Sequence, residues 1–105
     1  MGLKKNKLFL KAIDLSDSLG VKDYVWHFSK YKEVLEFCLK NEIIILGGDI
    51  ILFENSTYNF ESSSWHYGGQ SYKDSINTAR VYLEKYSLKN DVDSTYIAFV
   101  FKGIN

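Results

Sequence analysis

The residues best equipped for chemistry are few, and their spacing argues against using them for it. Cys38 is the one thiol of the chain. It falls on the apolar side of a helical repeat, where cysteine packs as a small hydrophobe, whereas a nucleophilic thiol needs partial exposure and a positive neighbour. His27 and His66 have no second His or Cys at ligand spacing, so a metal site would have to be built mostly from carboxylates. Asp49, Glu54 and Glu61 are the carboxylates of the middle of the chain, but positions 49 and 54 of one strand point to opposite faces and make a poor acid–base pair. Ser62, Ser63 and Ser64 lack the G-x-S-x-G turn that exposes a nucleophile. Gly47–Gly48 has neither the dinucleotide spacing nor the lysine of a phosphate loop. Gly68–Gly69 precedes a helix start, which attracts anions, but a pliable connection is the simpler reading. These observations lead to an expectation of no catalytic residue, no metal and no cofactor.

The chain has 105 residues, 46% hydrophobic and 25% charged, with 13 basic and 13 acidic side chains. That is one ordinary globular domain, residues 1–105, with no excess charge to drive binding to nucleic acid or to an anionic membrane. A lone cysteine and the absence of a long apolar run lead to an expectation of a soluble cytoplasmic protein without a membrane span.

The elements follow from periodicity. Leu8, Ala12, Leu15 and Leu19 mark a helix over 4–19, closed by Gly20. Residues 21–28 read as a connection. Ser29 fits the cap of a second helix that carries Tyr31, Val34, Leu35, Cys38 and Leu39 on one face and ends near Asn41. In IIILGGDIILFE, Gly47–Gly48 is either a tight hairpin or a bulge leading into a strand over 49–54; the turn signal at Asn55–Ser56 favours the bulge. Thr57–Glu61 is then the return strand and 62–70 a loop with a strand remnant around Trp65–Tyr67. Ser71 caps a third helix with Tyr72, Ile76, Ala79, Leu83 and Tyr86 inward, and Thr95–Phe101 is the last strand. The sum is an α+β two-layer domain, element order α-α-β-β-α-β, with three helices on a three-stranded, mainly antiparallel sheet in the order 2-1-3. This arrangement leaves an edge at Thr95–Phe101 through which a homodimer could form.

Charge is unevenly spread. Residues 1–40 hold eight Lys and five acids, whereas 41–105 hold five bases and eight acids. Within 41–72 there are Glu42, Asp49, Glu54 and Glu61 and no Lys or Arg, along with Phe53, Tyr58, Phe60, Trp65, Tyr67 and Tyr72. An acidic, aromatic-rich stretch suits a basic protein partner, with charge speeding encounter and rings supplying lasting contact. The same rings could equally fill a small core. The partner-binding residues expected on the first reading are Asp49, Glu54, Tyr58, Glu61, Trp65 and Tyr67.

Ile45-Leu46-Gly47-Gly48-Asp49-Ile50, then Trp65 and Tyr67, then Ser75, Ala79 and Tyr82, with Asp23-Tyr24-Val25-Trp26 upstream, resemble the immunity protein 40 family of bacterial polymorphic toxin systems. The likeness runs over roughly residues 10–90. Ser64 stands where the family prefers Asn, and the proline before the motif is missing. The resemblance implies a small cytoplasmic protein that binds and blocks a cognate toxin without catalysis, and it marks Gly47, Gly48, Asp49 and Trp65 as motif residues. An adaptor module serving some other protein is the alternative.

Overall fold

A computed structural model describes residues 24–103, so the helix expected over 4–19 lies outside the described residues. Four strands, β1 (Tyr24–His27), β2 (Ile45–Glu54), β3 (Thr57–His66) and β4 (Thr95–Phe101), and two helices, α1 (Tyr31–Lys40) and α2 (Tyr72–Lys89), make up this region. The sheet is antiparallel throughout, in the order β1-β4-β2-β3. The α+β architecture is therefore as expected, with β3, β2 and β4 side by side. The described residues hold four strands and two helices, in place of three of each.

The extra strand is β1, within the segment read as a connection. It was hidden from a search for alternation because Val25 and Trp26, on opposite faces, are both buried. It pairs with β4 from Tyr24↔Phe99 to His27↔Tyr96. That corrects the expectation of an unpaired edge at Thr95–Phe101: β4 is interior, and the outer strands are β1 and β3.

Both helices cover one face of the sheet. Trp26, Ile45, Ile50, Ile97, Phe99 and Phe101 from the strands meet Val34, Leu35 and Cys38 of α1 and Ile76, Ala79 and Leu83 of α2. Leu39, expected on the inner face of α1, is instead 48% exposed. A 3₁₀ turn, Phe28–Lys30, precedes α1, and its cap is His27 rather than Ser29: the His27 Nδ1 accepts from the Ser29 N–H at 3.2 Å. The Ser71 cap on α2 is as expected, with its hydroxyl accepting from the Asp74 N–H at 3.2 Å.

The Gly-Gly hairpin reading is excluded, because β2 runs through both glycines. The bulge lies between Ile45 and Gly47 against β4, with Gly47 at φ 152°. The reversal comes at Asn55–Ser56, whose φ values of 53° and 62° make the type I′ turn that suits a right-twisted hairpin. β3 also runs further than expected, to His66, since Gly47 and Gly48 pair with His66 and Trp65.

Ser75 fastens helix to sheet. Fully buried, its hydroxyl accepts from the Ile45 N–H at 3.0 Å and donates to the Tyr72 carbonyl at 2.8 Å. Ser75→Ala leaves the Ile45 amide without its partner in a buried setting. We expect a loss of about 1–3 kcal/mol in urea unfolding.

Candidate partner-binding site

The residues expected to form one binding surface divide into three groups. The first is internal. Trp65 is only 9% exposed, wedged between the sheet and α2, with its ring 5.2 Å from that of Tyr82 and 5.8 Å from that of Phe99. Gly48 lies beneath it: a Cβ there would come within 2.3 Å of the indole Cη2. Its place in the core corrects the expectation of Trp65 as a surface contact, and the reason is the bare Gly48 backbone opposite, which only a large flat ring can cover. Tyr67 is half-buried, and its hydroxyl accepts from the Ser71 N–H at 3.1 Å, so it shapes the loop that leads into α2.

The second group lies on the face of the sheet away from the helices. Asp49 sits there half-buried between Ser64 of β3 and Ala98 of β4. Tyr58 lies on this face too, its ring 5.3 Å from Tyr96 and 4.7 Å from Phe53. The proximity of Tyr58 and burial together push the Tyr96 phenol above its ordinary pKa, burial contributing most.

The third group is at the turn end of the β2–β3 hairpin. Glu54 and Glu61 share the wall of a shallow notch of about 290 Å³ with Phe53, Tyr86, Asn90 and Asp91. No Lys or Arg lines it. The notch exists because the Phe53 N–H donates to the Ser94 carbonyl at 2.9 Å, which holds the hairpin against the connection between α2 and β4. That connection is braced in turn: Asp91 Oδ1 accepts from the Asp93 N–H at 2.9 Å, and His27 Nε2 reaches the Asp93 carbonyl at 2.8 Å. Tyr86 closes the inner wall, its phenol pKa raised first by burial and then by the Glu61 carboxylate. On the other face of the same hairpin end, Phe53 is 38% and Phe60 52% exposed.

Asp49 and Glu54 thus occupy opposite faces, as odd spacing requires, and the acids that meet are Glu54, Glu61 and Asp91. Asp91 escaped the sequence reading as part of a polar turn. The signal that would have found it is the β2–β4 register, Leu52↔Thr95, which brings the residues before Thr95 beside Glu54.

The remaining chemical groups are placed quietly. Cys38 has no exposed surface, and burial pushes its thiol up to about 12, so it stays protonated at neutral pH. Among the described residues no group of three or more His, Cys, Asp or Glu could hold a metal, and no helix is long and apolar enough to cross a membrane.

What remains distinctive is a constellation of packing residues: Gly47 and Gly48 under Trp65, with Ser75, Ala79 and Tyr82 above. The family model for Immunity protein 40 matches residues 14–101, the greater part of the chain. The chain belongs to the immunity protein 40 family. No curated protein matches it significantly. Membership in an immunity protein family brings a general role, protection against a toxin, and a class of partner, the toxin itself. Gly48, Trp65, Ser75 and Ala79 are all buried, so in this immunity protein they specify the fold.

Proposed function

We propose that this immunity protein neutralises its cognate toxin by binding it at the turn end of the β2–β3 hairpin and covering the toxin's functional surface, without chemistry of its own. The observation that carries the reading is the notch itself: Glu54, Glu61 and Asp91 line it with no cation among the lining residues, and the other face of the same hairpin carries the exposed rings of Phe53 and Phe60. Carboxylates so grouped guide a basic partner during approach, and adjacent rings hold it once docked. Tyr58 packs against Phe53 on the face away from the helices. Asp49 and Tyr67 have structural surroundings and stay outside the proposed contact, as does Trp65.

Two experiments test this. Where the adjacent upstream gene encodes a toxin, co-expression of this chain with that toxin should restore growth. A chain that gives no protection against that toxin contradicts the immunity role. The triple substitution Glu54→Gln, Glu61→Gln, Asp91→Asn keeps one acceptor oxygen on each side chain, which at position 91 can still brace the Asp93 N–H. It should lower the association rate about tenfold at low salt and flatten its dependence on ionic strength. Unchanged association kinetics would place the contact elsewhere.

A further inference from the structure

The outer edge of β3 carries an inference that rests on the toxin-binding reading. β3 is a ten-residue strand at the rim of the sheet. Natural edges of that length are usually guarded by lysine, proline or a covering element. β3 contains no Lys and no Pro, and Thr57, Asn59, Phe60, Ser62 and Ser64 are exposed. Among the described residues its guard is an irregularity: from Asp49↔Ser64 to Ile51↔Phe60, residues 61–63 stand opposite the single Ile50.

The direction of the free backbone groups follows from the turn. A two-residue hairpin pairs Glu54 and Thr57 through hydrogen bonds, and antiparallel alternation then turns the amides and carbonyls of Tyr58 and Phe60 outward. The next outward amide, at Ser62, is already engaged. Its N–H donates to Glu61 Oε1 at 3.1 Å, so a carboxylate occupies the place a neighbouring strand's carbonyl would take. That same carboxylate belongs to the wall of the acidic notch.

We infer that the toxin adds an extended, basic segment to the outer edge of β3 along Tyr58–Ser62. Its backbone bonds the outward groups of Tyr58 and Phe60, and one of its carbonyls replaces Glu61 at the Ser62 amide. Glu61, released, turns to a Lys or Arg of the same segment, beside Glu54 and Asp91. Strand addition of this kind draws affinity from main-chain bonds and specificity from side chains on either side. Charge complementarity commits the edge to a basic strand rather than to a second copy of this chain, whose own hairpin carries the same acids.

The test compares Phe60→Ala with Phe60→Pro. Both remove the exposed ring, but only proline removes the outward N–H, and an edge position with its N–H toward solvent tolerates proline. Against the inactivated cognate toxin, Phe60→Pro should bind about tenfold more weakly than Phe60→Ala, the worth of a main-chain bond and the strand contact it aligns. Equal affinities overturn the inference. Independently of how the proline variant folds, amide exchange in the unsubstituted chain should slow about tenfold or more at Tyr58, Phe60 and Ser62 when toxin is added. Unchanged exchange at those amides in a formed complex overturns strand addition while leaving toxin binding intact. Absence of any complex would instead overturn the toxin-binding reading on which it stands. Protection that grows with the chain's own concentration, without toxin, would assign the edge to self-pairing and also overturn it.

Discussion

Trp65→Ala should leave the protein at the margin of folding. The side chain is buried between Gly48, Phe99 and Tyr82, and removing a buried tryptophan costs about 3–5 kcal/mol through lost transfer energy and the cavity left behind. A domain of this size has only about 5–15 kcal/mol in hand. The measurement is urea unfolding followed by circular dichroism. Trp65→Phe offers a sharper comparison: among the described residues the indole Nε1 has no hydrogen-bond partner although it is buried. Phe keeps most of the ring contact and removes that unsatisfied donor, so it should lose clearly less than Ala. Equal losses would mean that ring packing on Gly48 contributes little.

Gly47→Ala should be nearly as damaging, for a different reason. Gly47 has φ 152°, a conformation L residues rarely adopt, and a Cβ there would lie 2.3 Å from the backbone oxygen of Trp65. Backbone cannot swing aside as a side chain can. Strain and collision together put the expected loss at about 2–5 kcal/mol. Gly68→Ala is the control, since its added Cβ meets nothing nearer than His66 Nε2 at 3.7 Å. Its stability should stay within about 0.5 kcal/mol of the parent, as for most surface changes. Whatever fraction of Gly47→Ala remains folded should still bind toxin, because in this account the family signature builds the fold and the contact surface lies elsewhere.

How far the sequence foretold this molecule can be judged residue by residue. The helices were legible because a 3.6-residue period survives wherever only one side is buried: Tyr31, Val34, Leu35 and Cys38 on α1, and Ile76, Ala79 and Leu83 on α2, are all buried. The type I′ turn was legible because Asn55–Ser56 is flanked by strand-like runs. β1 was not, since a four-residue strand whose central Val25 and Trp26 are buried on opposite faces carries no alternation. The second half of β3 was not, since three serines in a row read as a loop until paired with Asp49 and the glycines of β2. The site was half legible. Lysine depletion over 41–72 drew attention to the hairpin that carries Glu54 and Glu61, the one at which the contact is proposed. It could not show that Trp65 turns inward, which depends on the register Gly48↔Trp65, nor that Asp91 arrives from a distant turn. Local pattern reports which residues are apolar, whereas cross-strand register decides which of them a partner can reach.

The most direct test of the account is to map, by cross-saturation NMR, which amides of this chain sense the inactivated cognate toxin. The account places the affected signals at Phe53–Ser62 and Asn90–Ser94, the two walls of the acidic notch and the strand edge beside it. A footprint centred instead on the groove between α1 and α2, around Leu35, Leu39 and Arg80, would contradict it.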